Sequence, residues 1–412
     1  MRGGRPRAVR GGPPVNRDRT VDVLVVGAGP AGLALAARLA TAGAGHVEVL
    51  EREQDAGGVP RHCHHGGFGG PVRPWLTGPV YARRAVRAAV TAGAHVRTGV
   101  SATGWAGPLS LETTGPAGLE RITARAVVLA TGARERPRSA RLVPGSRPAG
   151  VLTTGELQQA VHLYGQDIGR RAVVVGAEPV ARHAVRTLRR AGAEVVAVVT
   201  ERPRGAAVPG VPLLTATTVA ELRGRGRLSG VAVRHEDGRS GVLACDTVVF
   251  TGDWIPDHEL ARRGGVALDP GTRGPAVDAS FRTSVPGVFA VGNALHGVEP
   301  AATAAAAGAA AAAPVLARLS GAPWPEPGPP LAVRAPLLWV APNRLTDLAG
   351  RPLLLRSGEP LTHPVVTAAQ DGRLLWRRRH PGRVPPWRSL RLAPGWTYRV
   401  DPAGGPVVLA LG

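Results

Sequence analysis

The 412-residue chain contains no lysine: its 51 Lys/Arg-type cations are all arginine, set against 29 carboxylates. Together with abundant Gly, Ala and Pro, this reads as a bias that writes arginine wherever a cation is tolerated. The formal charge of +22 is then a solvated basic surface. The arginines are scattered through every segment and no nucleic-acid module accompanies them, so no nucleic-acid partner is expected. An acidic partner protein or an anionic membrane face stays compatible with such a surface. Cysteine is scarce too. Cys63 and Cys245 lie far apart in unlike contexts, which excludes a disulfide framework and fits a reducing, cytoplasmic setting. Long apolar runs are missing: no stretch of about 18 apolar residues is found, and the alanine-rich 301–313 is expected to be too short to cross a membrane. The basic, proline-rich start lacks the apolar core of a secretion signal and reads as a disordered leader over 1–20.

What is present is glycine in one informative arrangement. Val21-Asp-Val-Leu-Val-Val-Gly27-Ala-Gly29-Pro-Ala-Gly32 reads as a buried strand running into a G-x-G-x-x-G turn and an alanine-rich helix, with an acid, Glu51, closing the next strand. Gly27 makes the tight turn, Gly29 admits a pyrophosphate, and Gly32 lets helix and strand approach. Pro30 and Ala31 open the helix whose free amides and positive dipole end receive phosphate. Glu51, with Arg52 beside it, is placed for the adenosine ribose.

Gly57-Gly58, the run Ala126-Val-Val-Leu-Ala130-Thr131-Gly132, and Val291-Gly292-Asn293 follow. At these points the chain resembles the flavoproteins with two dinucleotide-binding domains, the superfamily of thioredoxin reductase, glutathione reductase and their amine-oxidising relatives, over about residues 21 to 318. The resemblance implies FAD. It implies cofactor contacts from Gly27, Gly29, Pro30, Ala31, Gly32, Glu51, Arg52, Gly58, Arg61, His62, Val100, Ala130, Thr131, Gly132, Gly292, Asn293 and Ala301. Where the family has Gly-Asp near the ribityl chain this chain has Gly292-Asn293, and an amide still accepts a hydroxyl's hydrogen bond. The stretch 301–313 is, by the same resemblance, the helix whose amino end points at the flavin pyrimidine ring.

A second strand-turn-helix, Arg171-Ala-Val-Val-Val-Gly176-Ala-Glu178-Pro-Val-Ala181, corresponds to the family's NAD(P)-binding domain. Its middle glycine is replaced by Glu178, a bulky anion where a pyrophosphate belongs, so nicotinamide binding is expected to be lost or weakened. Neither family arrangement of paired cysteines is present, which rules out disulfide reduction. In the early position stands Gly57-Gly-Val-Pro-Arg61-His62-Cys63-His64-His65-Gly-Gly-Phe68-Gly69. This loop resembles a branch akin to the large subunits of opine oxidase and hydrogen cyanide synthase and to flavin subunits of proline, sarcosine and glycerol 3-phosphate dehydrogenases. His62, His65 and Glu299 are the expected catalytic groups. Consecutive His and Cys residues point in divergent directions, so no metal is expected there.

Residues 319–412 hold five of the eight tryptophans and short alternating runs, with Asp371-Gly372 as a hairpin turn. The expected fold is α/β: two Rossmann-like FAD/NAD(P)-binding domains, the second inserted in the first, plus a small C-terminal β domain. The boundaries are 1–20, 21–155, 156–249, 250–318 and 319–412. The expected function is that of an FAD-dependent dehydrogenase or oxidase-type subunit, taking hydride from an amine- or hydroxyl-bearing carbon and passing electrons to oxygen, quinone or a second oxidoreductase subunit. The alternatives are an NAD(P)H-dependent flavin reductase and a non-catalytic flavin-binding subunit.

Overall fold

The unbroken apolar run before Gly27 is buried on both faces, as a parallel strand between helix layers must be: Val23, Leu24 and Val25 are fully excluded from solvent. The computed structural model describes residues 17–412 except 71, 298 and 347–350. The first strand, β1 (Arg17–Val26), begins inside the expected leader, because Arg17–Thr20 pair with Glu120–Thr123; the rest of that leader lies outside the described residues. The chain continues through α1 (Pro30–Thr41), β2 (Val47–Leu50), α2 (Gly78–Thr91), β3 (His95–Arg97), β4 (Ser101–Gly107), β5 (Ser110–Gly115) and β6 (Gly118–Leu129). These strands form a sheet in the order β3-β2-β1-β6-β5-β4.

The second domain is inserted here, as expected. β7 (Ala133–Glu135) leads out to β8 (Val151–Thr153), α3 (Thr154–His162), β9 (Arg171–Val175), α4 (Pro179–Arg190), β10 (Glu194–Val199) and β11 (Leu213–Leu214). An antiparallel sheet of β12 (Thr217–Arg225), β13 (Arg227–His235) and β14 (Ser240–Ala244) follows, then β15 (Thr247–Phe250) and β16 (Trp254–Pro256). The main sheet of this domain runs β11-β10-β9-β15-β8. Since β8 pairs with β15, the domain starts near residue 151 rather than 156. The outgoing and returning strands β7 and β16 pair antiparallel, Trp254 opposite Glu135.

α5 (Glu259–Arg263) precedes β17 (Val288–Ala290), which returns beside β6, and then come α6 (Ala301–Ala310) and α7 (Ala312–Leu319). Here the expectation that the alanine-rich stretch is too short needs correction. Ala301–Leu319 runs as one 19-residue helical stretch with a mean hydropathy of 1.4, enough by length and composition to cross a membrane. It lies on the flavin-domain core, where Ala304, Ala311, Ala312 and Val315 are buried. A Cβ on Gly308 would come within 2.0 Å of the Ala31 carbonyl oxygen, a measure of how closely α6 rests on α1.

The C-terminal segment is β-rich, as its alternating pattern implies. β18 (Leu331–Val333), β19 (Leu337–Ala341), β20 (Leu353–Ser357), β21 (Leu361–Thr362), β22 (Val365–Gln370), β23 (Arg373–Arg379), β24 (Arg383–Val384), β25 (Leu390–Leu392) and β26 (Val407–Leu411) form sheets β18-β26-β22-β23, β19-β20-β25 and β21-β24. Asp371 and Gly372 both have positive φ (49° and 80°), the mirror-image turn that a twisted hairpin favours. Trp396 and Leu375 sit in this domain's own core, while Trp387 is exposed and Trp324 meets Phe289 of the flavin domain edge to face.

Candidate active site

The glycine turn between β1 and α1 has the geometry its sequence implies. Gly27 sits at φ +108°, and a Cβ there would lie 2.4 Å from the Ala130 carbonyl oxygen; a Cβ on Gly32 would lie 2.0 Å from the Gly27 carbonyl oxygen. Gly29 is different: its missing Cβ would meet nothing within 4 Å, because it faces an open cleft of about 690 Å³. Glu51 at the end of β2 is buried, with Oε2 accepting from the Ala28 amide (3.2 Å) and Oε1 from the Glu53 amide (3.0 Å). Burial raises its pKa above the ordinary glutamate value while those amides hold the carboxylate in place.

The cleft is lined by Gly27, Gly29, Pro30, Ala31, Glu51, Arg52, Gly58, Arg61, His62, Val100, Ala130, Thr131, Gly132, Asn293, Glu299 and Ala301, all named from sequence. Gly32 and Gly292 act one layer behind it. A Cβ on Gly292 (φ +68°) would overlap the Ala31 methyl at 2.6 Å. The cleft also takes in Phe68, Gln159, Trp254, Asp257, Leu260 and Arg263, which the sequence reading did not assign to the site. Trp254 and Asp257 lie at and just after β16, where the chain returns from the inserted domain, and Gln159 lies on α3. An open phosphate-side turn, a tethered carboxylate and a cleft whose lining includes the small Ala301 and Ala304 of α6 fit a flavin dinucleotide.

Its cations are engaged. Arg61 pairs with Glu53 (3.3 Å) and Asp55 (3.0 Å), Arg52 with Asp257 (3.5 Å) and Arg134 with Glu259 (3.4 Å), and Arg263 donates to the Thr103 carbonyl (2.8 Å). His62 lines the cleft from the short helical turn Val59–His62; burial, reinforced by Arg61, pushes its pKa down to about 4, so it is neutral at physiological pH.

His65 does not join it: its ring lies face to face with that of His183 on α4, centroids 3.6 Å apart, and it is not among the residues lining the cleft. The expectation that His65 is a catalytic group of the cleft is therefore corrected, because successive side chains of a tight loop diverge. The same divergence sets His64 against His162 (4.2 Å, parallel) and points the Cys63 thiol at Gln158 (3.2 Å). Outside the loop, His46, Glu48 and His95 bring ligand atoms within 4.8 Å of one another, but Glu48 is held by Arg19 and Arg97.

Glu299 lines the cleft just before α6. Its backbone is fixed by Asn293, whose Oδ1 accepts from the Glu299 amide (3.0 Å) and whose Nδ2 donates to the Glu299 carbonyl (3.1 Å). Asn293 thus serves as the brace of this turn while still facing the cleft.

In the second domain, Glu178 Oε2 accepts from Thr251 Oγ1 (2.9 Å), and a Cβ on Gly252 would stand 3.0 Å from the Glu178 carboxyl carbon. The carboxylate fills the crook of the turn.

Residues 21–308 match the pyridine nucleotide-disulphide oxidoreductase family. The chain belongs to that family. Among curated relatives, the alpha chain of sarcosine oxidase from Corynebacterium sp. strain P-1 is 30% identical over 363 residues, covering 80% of this chain and 36% of that protein. An opine oxidase subunit of Agrobacterium tumefaciens strain Ach5 is 33% identical over 169 residues, covering 38% of this chain and 32% of that protein. The chain thus spans about a third of the length of these two relatives. Among solved structures, T. acidophilum thioredoxin reductase matches with a TM-score of 0.61 at 24% identity, over 74% of this chain and 99% of that one. L-proline dehydrogenase from P. horikoshii matches at 0.56 and 18%, over 74% and 56%. These two likenesses establish the two-domain flavoprotein fold.

Proposed function

We propose that the chain is an FAD-dependent oxidoreductase subunit that takes hydride from a carbon bearing an amine or a hydroxyl and passes the electrons to oxygen, a quinone or a partner chain. The observation that carries the reading is that one cleft is lined by the glycine turn, the neutral His62 and Glu299. Bound FAD would supply the hydride acceptor. This chain's residues would do the rest. The α1 amides receive phosphate, Glu51 receives ribose hydroxyls, and the amino end of α6 stabilises negative charge developing near it. His62, kept neutral, is in the form that accepts the proton of the substrate's heteroatom, although burial makes it a weak base.

Two observations argue for this reading over the alternatives. Glu178 blocks the turn where a nicotinamide dinucleotide would seat its pyrophosphate. Cys63 is bonded to Gln158 and burial raises its pKa to about 12, which leaves it inert as a thiolate relay. The curated relatives named above are subunits, which supports a partner chain for electron exit. The test is anaerobic: holoprotein is mixed with secondary amines, amino acids, opines and hydroxy acids, with NADH and NADPH as controls, and the flavin absorbance is followed. Bleaching by an amine or hydroxy acid is expected. Bleaching by a reduced nicotinamide nucleotide alone, or protein that refuses FAD, would overturn the proposal.

A further inference from the structure

Glu299 is gripped from the C-terminal domain. Arg356 on β20 donates Nη2 to Glu299 Oε1 (2.7 Å), and Ser389, just before β25, donates its hydroxyl to the same oxygen. Arg356 also reaches Ser389 Oγ (3.2 Å) and the Pro386 carbonyl (3.3 Å), and its guanidinium lies over the Trp339 ring, 5.2 Å to the centroid. Trp339 in turn stacks on His296 at 4.5 Å. The ion pair is nearly sealed, with side-chain exposures of 8% for Arg356 and 11% for Glu299. Two donors therefore converge on Oε1, and Oε2 has no partner among the described residues.

We propose that Arg356, with Ser389, is the positioning residue of the cleft: from a domain that lines none of the cleft, it holds the Glu299 carboxylate in one orientation, so that Oε2 is presented to the cleft. Without a guanidinium beside it, a carboxylate this buried is a stranded charge, free to take up a proton or turn away. The ionisable groups around it are Arg356, His296 behind Trp339, and, in the same cleft, His62 with Glu51, Arg52, Glu53, Arg61, Arg134, Asp257, Glu259 and Arg263. The inference rests on the reading that flavin occupies the cleft, and the test separates the two.

Arg356→Met, Arg356→Lys, Glu299→Gln and the Met/Gln double variant are loaded with FAD and titrated spectroscopically between about pH 5 and 9. Arg356→Met should gain one ionisation in the flavin spectrum that is absent from the parent and from the double variant, and Arg356→Lys should largely suppress it. In flavin-free protein, Arg356→Met should lower Tm on the order of 10 °C, since it strands a buried charge, and the double variant should lose less than the sum of the singles. A fall in Tm with no new ionisation, an ionisation that survives in the double variant, or additive Tm losses would each overturn the proposal. Failure of the parent chain to take FAD would instead sink the functional reading, and the flavin-free cycle would still decide the clamp.

Discussion

Replacing Glu178 by glycine should turn a closed dinucleotide turn into an open one. The carboxylate sits between Gly176 and Gly252: a Cβ on Gly176 would lie 2.7 Å from Glu178 Oε2, and one on Gly252 would lie 3.0 Å from its carboxyl carbon. A pyrophosphate seated on the α4 amides would come within roughly 5 Å of that charge, and at an effective dielectric near 20 each phosphate charge is repelled by about 3 kcal/mol. That is on the order of 100-fold in Kd for one charge alone, before any steric overlap is counted. Arg141, which donates to the Thr251 and Gly252 carbonyls (3.2 and 2.7 Å), keeps its positive charge, interacts with Glu178 and offsets part of that repulsion. Glu178→Gly should therefore tighten NADPH or NADH binding by up to about 100-fold, whereas Glu178→Gln, which keeps the bulk and loses the charge, should recover only part. The cost in stability is small. Thr251 keeps its bond to the Val175 carbonyl (3.2 Å). Losing one hydrogen bond and one acid at the start of α4 amounts to about 1–2 kcal/mol. Calorimetric titration of each variant with both nucleotides measures the difference. Parent protein that binds NADPH as tightly as Glu178→Gly would refute the reasoning.

Gly32→Ala should empty the flavin site: its Cβ would enter to 2.0 Å of the Gly27 carbonyl oxygen, backbone that cannot yield. The ratio of flavin to protein absorbance should collapse and Tm fall by the equivalent of about 1–3 kcal/mol; a fully yellow Gly32→Ala protein would contradict the assignment of the turn. Glu135 gives a pH signature. Burial raises its pKa from 4.5 to about 7, its Oε2 accepts from the Gly155 amide (2.7 Å) and its Oε1 has no hydrogen-bond partner among the described residues. Between 4.5 and 7 the folded chain holds a proton the unfolded chain releases, so this group's contribution to stability declines as pH rises through that window. Glu135→Gln, which cannot ionise, should be relatively more stable at pH 8 than at pH 5, by up to about 3 kcal/mol; a pH-independent difference in Tm would rule this out.

The first domain was legible because its chemistry is local. A turn that must receive phosphate constrains consecutive residues, so Gly27, Gly29, Gly32 and Glu51 could be placed from spacing alone, and the inserted domain from its repetition of the same strand-turn-helix pattern. Edges were less legible. Arg17–Thr20 join β1 because β6 is long enough to pair with them, a fact residing in the partner strand. The alanine stretch was underestimated because its continuation through Val315 and Leu319 mixes in Pro314 and Arg318, which break an apolar run on paper without ending the helix. Arg356 and Ser389 left no trace at all: nothing in residues 351–392 announces that two of them reach a glutamate far upstream. His65 was misplaced because a sequence gives neighbours but not the directions in which a tight loop turns them.

Those directions also explain what the second domain contributes to the first. His64 stacks on His162 of α3, His65 stacks on His183 of α4, and Arg190 of α4 donates to the His64 carbonyl (3.1 Å), so three contacts from the second domain pin the loop that carries His62 into the cleft. Parallel stacking of this kind, worth about 1–3 kcal/mol for two pairs, requires uncharged imidazoles. Burial, followed by neighbouring cations and imidazoles, lowers the pKa values of His65 and His162 and takes His62 and His183 from 6.5 to about 4. Because these folded-state values are depressed, the unfolded chain binds more protons between about pH 6.5 and 4, and stability is lost as pH falls through that range. The loop should come loose first. Protection factors for hydrogen exchange across residues 60–68, taken relative to the intrinsic rate at each pH, should fall on going from pH 7 to pH 5 while the β1–β6 core stays protected, and His162→Ala/His183→Ala should be poorly protected at both values. If the loop's protection factors were the same at pH 5 and pH 7, or the double variant retained the parent's protection, the stacks would not be what fastens it.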